Sequence, residues 1–467
     1  MHLKFEKLDP AILRLALVLL TGVLAVVFDT TIVAVALRTL ADDFHASVAT
    51  IQWVTTGYLL ALGIAVPLTG WLVGRFGAKQ VWMSALALFF AGSLGASLAW
   101  NAQSLIAFRV VQGVGGGVML PVLQTLLIQA AGGRSVGRVT ALVTLPAMVG
   151  PVLGPVVGGL IVHNLSWRWI FWVNVPFCVA GLLLAWRMLP AGEANRGQRL
   201  DLIGFLLLSP GIAAVLLGLS RVGEAGGFGD PLVLASLAVG VVLVTAFTLH
   251  ARRRDEPLVD VRLFGVGSFT ASAALMFLSG FVLYGAMLVL PLYFQEVRGT
   301  DAFQAGLMLA PQGLGVLLTR SWAGSATDRY GPRWIVCAGL AVVALGTLPF
   351  AAAGAETNVW LLCGALLVRG IGLGAVTVPV MAGAYQGLRT AQIPHASIIT
   401  RAAQQIGGSF GSAVLAVILT GQLTEHDPVR AFDNTVWWAT VATLAAVLFA
   451  IGLPGAPRPP AMTPRSA

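Results

Sequence analysis

Asp29 and Arg109 are charged residues set in runs that are otherwise apolar, Val26-Val-Phe-Asp29-Thr-Thr-Ile-Val33 and Leu105-Ile-Ala-Phe-Arg109-Val-Val-Gln112. Removing a carboxylate from water penalises its charged form, so an acid inside an apolar helix can take up and release protons as its surroundings change. A guanidinium in the same setting needs an acceptor, and Asp29 is the candidate partner for Arg109. Arg369 and Arg320 also fall within apolar runs. The first is a candidate lining residue of a cavity, and the second is close enough to a helix end to extend toward water. Gln52, Trp53, Tyr58, Gln124, Tyr284, Tyr293, Gln312, Gln404 and Gln405 each place an amide or an aromatic face on an otherwise apolar helix, which makes them candidate contacts for an apolar substrate. Cys178, Cys337 and Cys363 have no CxxC spacing, and no histidines pair, so no metal site is expected. No nucleophile elbow or phosphate-binding glycine loop is present either, and neither an enzyme nor a bound cofactor is expected.

The elements that hold these residues must be membrane helices. Of 467 residues, 57% are hydrophobic and 10% charged, against roughly 45–50% and about 25% in an average soluble domain. The net charge of +9 has no long polar stretch to carry it, which disfavours nucleic acid as a partner. A helix needs about 20 apolar residues to cross the hydrocarbon layer, and cutting the chain at charges, turns and polar clusters yields fourteen such segments. Lysine and arginine fall unevenly between the two sides: twenty on one, Arg401 among them, five on the other and three within spans, 28 in all. Basic loops stay cytoplasmic, so both termini are expected in the cytoplasm and the protein in the inner (cytoplasmic) membrane. Trp100, Trp167, Trp169 and Trp437 are expected to mark the interfaces. No connection is long enough for a folded extramembrane domain, so any function must reside in the bundle.

The chain repeats itself. Gly70-Trp-Leu-Val-Gly74-Arg75-Phe-Gly77-Ala-Lys79 recurs 254 residues later as Gly324-Ser-Ala-Thr-Asp328-Arg329-Tyr-Gly331-Pro-Arg333, and Gly113-Val-Gly115-Gly-Gly117 recurs 257 residues later as Gly370-Ile-Gly372-Leu-Gly374. The expected architecture is therefore an all-α integral membrane protein of 14 helices. A six-helix half at 1–190 and another at 263–467 are pseudo-symmetric, and two inserted helices occupy 191–262.

At these residues the sequence resembles the major facilitator superfamily, and within it the fourteen-helix drug:proton antiporter branch. The Gly70–Lys79 loop resembles the superfamily's signature between spans 2 and 3, and Arg109 to Gly115 its span 4 signature. Gly150-Pro151-Val-Leu-Gly154-Pro155-Val-Val-Gly158-Gly159 matches the antiporter signature of span 5. Asp29 to Val33 matches the branch's first-span signature, and Trp167 to Pro176 resembles its entry into span 6. One departure is Gly74, where the family usually has an aspartate; the second copy keeps Asp328.

The resemblance implies a proton-coupled exporter of hydrophobic, often cationic compounds that works by alternating access. It implies proton coupling at Asp29 and Arg109, and a leak-limiting helix contact at the span 5 glycines and prolines. It also implies a gate at Gly70, Arg75, Gly77, Lys79, Asp328, Arg329, Gly331 and Arg333. The partners would be small hydrophobic or amphipathic substrates, protons and the lipid bilayer, and the working unit a monomer. A dedicated exporter of one metabolite, antibiotic or lipid would use the same scaffold. A membrane-embedded enzyme or channel would need a paired catalytic cluster or a polar pore stripe, neither of which is found.

Overall fold

The computed structural model describes residues 9–131, 136–143, 154, 157–189, 197, 199–222, 227–300 and 302–455. Helix starts follow local chemistry. Asp9 accepts a hydrogen bond from the Ala11 amide (2.8 Å), with Pro10 at the first helical position, and opens α1, Pro10–Asp43. Ser47 caps α2, Val48–Ala65, which passes through a 3-10 turn at Pro67 into α3, Thr69–Phe76. Next come α4, Ala78–Ser97, and α5, Ala102–Ala131. The short α6, Val136–Val143, is followed by a helical stretch at 157–164 (α7). Helices α8, Trp169–Trp172, and α9, Asn174–Met188, complete this region.

Two helices, α10, Leu202–Val222, and α11, Pro231–Arg252, pack on each other. Their ends are tied by Asp201, which accepts from the Gly204 amide (3.0 Å) and the Leu258 amide (3.3 Å) and pairs with His250 (2.8 Å). Burial alone would raise the Asp201 carboxyl pKa, but these three bonds outweigh it and hold the group below the ordinary carboxylate range. The remaining helices are α12, Gly267–Leu292, α13, Ala302–Met308, α14, Ala310–Tyr330, α15, Pro332–Thr347, α16, Val359–Tyr385, α17, Ile393–Glu425, and α18, Pro428–Ala450.

Among the described residues, 12 helices are long and apolar enough to cross a membrane. Of the fourteen apolar segments cut from the sequence, the fifth, at 138–162, falls partly outside the described residues. The expected span at 303–322 is divided between α13 and α14; α14 has 21 residues but carries Gln312, Arg320, Asp328 and Arg329 and is not apolar enough to count with the twelve.

Packing repeats with the sequence. Helix α5 lies against α4 and α2, and α16 against α15 and α14. A Cβ on Gly115 would stand 2.6 Å from the Ala85 carbonyl oxygen and 2.8 Å from the Phe89 nitrogen, and one on Gly372 would stand 2.7 and 2.6 Å from the Gly339 oxygen and the Val343 nitrogen. Only glycine lets backbones approach this closely, and the partners lie 254 residues apart. The paired loops share a turn as well: Gly77 (φ +84°) and Gly331 (φ +77°) hold a backbone that other residues rarely adopt. Helix α1 packs on α9, α5 and α2, and α12 on α17, α18 and α16, while α10 packs on both α2 and α17.

Arg401 lies inside α17, more than two turns past the helix start at Ile393. Trp167 is buried among its neighbours, with its indole N–H donating to Asp43 (2.8 Å).

Candidate functional site

Five helices converge on Asp29. The side chain is fully buried, and its Oδ2 accepts from an Arg109 guanidinium nitrogen in an ion pair. Its Oδ1 accepts from Gln112 Nε2 (3.2 Å) and Asn174 Nδ2 (3.0 Å). Arg109 reaches the pair from α5 and also donates to the Val54 carbonyl of α2 (3.1 Å) and to Gln112 Oε1 (2.9 Å). Its guanidinium lies 4.1 Å from the Tyr58 ring centroid and 5.9 Å from that of Phe171. Ser93 of α4 accepts from Gln112 (2.6 Å) and Asn174 (3.3 Å). A buried ion pair holds only when its remaining hydrogen-bonding capacity is met, and the amides of Gln112 and Asn174 meet it here. Asn174 was missed as a site residue; its signals are a lone amide in the apolar run Trp-Val-Asn174-Val-Pro-Phe and its place in the stretch that resembles the family's entry into span 6.

The repeat places different chemistry at the matching position. Val282, Gln312, Thr347 and Arg369 lie 253, 254, 254 and 257 residues after Asp29, Tyr58, Ser93 and Gln112. Arg369 is buried and donates to Gln312 Oε1, Thr347 Oγ1 (3.3 Å) and the Val282 carbonyl (3.2 Å). A guanidinium thus occupies the position of an amide, and an aliphatic side chain that of the acid. Arg320, also buried, does not extend to water, and its three guanidinium nitrogens have no hydrogen-bond partner among the described residues.

A cavity of about 550 Å³ opens between α1, α2, α5, α10, α12 and α17. Its wall includes Val26, Val27 and Thr30, within one turn of Asp29, and Leu216, Leu219 and Ser220 from α10. Of the substrate candidates it brings together Tyr284, Gln404 and Gln405. The others lie elsewhere. Trp53 is exposed and Gln52 half-buried on α2, and Tyr58 is packed under Arg109. Gln124 accepts a long bond from Tyr385 (3.5 Å), and Tyr293 sits among Phe294, Phe350 and Phe432 while donating to the Gly354 carbonyl (3.1 Å). Gln312 and Arg369 bond each other.

The expected gate residues lie around the paired loops. Lys79 donates to the Trp186 carbonyl (2.8 Å) and Arg333 to that of Leu453 (2.8 Å). Arg75 and Arg329 stack near Phe76 and Tyr330, and Gly70 faces Ile398 of α17. Asp328 pairs with Arg138 of α6 (3.3 Å). On the same side, Thr125 of α5 meets Ser397 of α17 (3.2 Å). In the span 5 motif, Gly150, Pro151 and Pro155 lie outside the described residues. Gly154 is buried and helical, Gly158 faces Ile32 of α1, and Gly159 has open space beside it.

The family model described as Major Facilitator Superfamily matches residues 19–412 and 272–466. The chain is 38% identical over 425 residues to a "Multidrug resistance protein B homolog" of Mycobacterium tuberculosis, a match covering 90% of this chain and 79% of that protein. It is 32% identical over 395 residues to the "Lincomycin resistance protein LmrB" of Listeria monocytogenes, covering 84% and 83%. Among solved structures it is similar to the proton:xylose symporter XylE, with a TM-score of 0.63 at 17% identity over 94% of each chain, a likeness of fold alone. The family-model match across nearly the whole length, together with these identities, makes the chain a member of the major facilitator superfamily.

Proposed function

We propose that this protein is a proton-coupled exporter of hydrophobic and amphipathic small molecules, driven by the proton gradient with no bound cofactor. It works as a monomer in the cytoplasmic membrane, with both termini inside. The full set of helices is fourteen: six in 1–190, two in 191–262 and six in 263–467. The distribution of lysine and arginine supports the orientation, and the resistance proteins among its relatives support the substrate class.

The observation that carries the reading is the closeness of Asp29 to the cavity. Its carboxylate is sealed behind Arg109, Gln112 and Asn174, yet its neighbours Val26 and Thr30 on α1 form the cavity wall. A proton on Asp29 removes the charge that holds Arg109, leaving the guanidinium to the Val54 carbonyl, Gln112 and the Tyr58 ring. Helix α1 is then free to repack against α5 and the cavity. In the present conformer the contacts Arg138–Asp328 and Thr125–Ser397 join the halves on the cytoplasmic side, so we read it as closed to the cytoplasm. Protonation from outside favours opening inward. Proton loss to the cytoplasm and substrate binding favour the return.

Purified protein in liposomes with an imposed pH gradient tests this. Addition of a transported hydrophobic compound is expected to accelerate collapse of the gradient, read with an entrapped pH dye. If a chemically varied panel leaves the proton flux at the level of empty liposomes, the coupling is wrong.

A further inference from the structure

Among the described residues lining the cavity, Arg401 alone carries a charge, and the charge is positive. It sits more than two turns inside α17, which begins at Ile393. Its Nη1 makes one long bond to Gln404 Oε1 (3.4 Å), and its buried Nε has no partner among the described residues. Gln405, Ser409 and Ser412 continue the same polar strip along α17, opposite a wall of Leu59, Leu60 and Leu216. The acid nearest in the sequence of the wall, Asp29, is fully buried and already holds Arg109, Gln112 and Asn174, so its charge is committed away from the cavity. The cavity therefore presents an under-bonded guanidinium facing an apolar wall.

We infer that Arg401 sets the charge selectivity of the cavity, so that the favoured substrates are hydrophobic bodies bearing a carboxylate or another compact oxyanion, and lipophilic cations are disfavoured. A guanidinium offers a planar fork of N–H donors that matches a carboxylate with two parallel bonds. In a space walled by leucine the attraction is screened far less than in water, and a quaternary ammonium group would meet repulsion of the same strength. The hydroxyls and amides beside Arg401 can satisfy the remaining lone pairs of a bound anion. This inference rests on the export reading above and departs from the expectation, taken from the family resemblance, that the substrates are often cationic.

The test uses three dansyl probes that share one six-carbon linker and end in a carboxylate, a primary amide or a trimethylammonium group. Their export is measured in proteoliposomes under one imposed pH gradient. Wild-type protein is expected to handle the carboxylate probe with an apparent affinity about tenfold or more above that of the trimethylammonium probe. R401Q is expected to bring that ratio near one and R401K to keep it. A wild-type ratio near one, or one favouring the ammonium probe, would overturn the inference without help from any variant; so would an unchanged ratio in R401Q. The amide probe separates the two levels of the argument. If it is exported while the charge ratio is flat, only the selectivity assignment fails; if no probe is exported, the export reading falls and this inference with it.

Discussion

The ion pair of Asp29 and Arg109 has no exposure to solvent worth the name, with relative side-chain exposures of 0% and 1%, so each charge depends on the other. Breaking a buried pair from one side costs about 3–5 kcal/mol, because it leaves an uncompensated charge. Arg109→Met is therefore expected to lower the thermal unfolding midpoint in detergent by several degrees, and adding Asp29→Asn to it is expected to recover a large part of the loss. With Asp29→Asn alone completing the double-mutant cycle, single-variant losses that simply add in the double variant would show that the pair is not coupled. The pairing itself was legible in the sequence, since a guanidinium inside an apolar helix has few acceptors to choose from. Gln112 and Asn174 were not legible as carboxylate ligands: an amide in an apolar run says nothing about which neighbour it faces. Arg401 was counted with the cytoplasmic basic residues because it stands close to the expected start of its span, and the residue that most defines the charge of the cavity was missed for that reason.

Helices differ in how close they must come, and the span 5 glycines show it. A Cβ added to Gly158 would lie 3.1 Å from both the carbonyl oxygen and the Cγ2 of Ile32 on α1, whereas one added to Gly159 would meet nothing within 4 Å. Gly158→Leu is expected to block export or make the membrane leak protons, by forcing α1 away from its neighbour. Gly159→Ala is expected to retain most of the wild-type rate. Gradient-driven uptake and proton leak measured on the two variants side by side check this, and equal tolerance at both positions would remove the contact from the account. Hydropathy located most of the long helices, because twenty apolar residues have few alternatives in a chain this poor in charge. It did not locate the break between α13 and α14, which falls at Leu309 inside an apolar run, with Pro311 in the first turn of α14. Nor did it show that α10, from the inserted pair, supplies Leu216, Leu219 and Ser220 to the cavity; apolar periodicity reports what leaves water and not which helix it leaves water to join.

Over the whole molecule, the repeat found at Gly70–Lys79 and Gly324–Arg333 reappears as matching turns at Gly77 and Gly331 and matching helix contacts at Gly115 and Gly372. Spacing alone could not reveal that the acid of the first half corresponds to a valine in the second, since that register depends on packing outside the motifs. The halves meet through Arg138 and Asp328, partly exposed at 19% and 21%. Asp328→Asn is expected to shift the population toward the inward-open state, lengthening the distance between spin labels at the exposed positions Gln80 and Trp334. An unchanged distance distribution would relieve Asp328 of the gate. The central claim is that Asp29 couples protons to substrate, and it is tested most directly by comparing two modes of transport in Asp29→Asn proteoliposomes. The account predicts that exchange of labelled for unlabelled substrate, which needs no proton, continues, while accumulation against a gradient under an imposed pH difference is lost. Accumulation at the wild-type level in the same vesicles would contradict it.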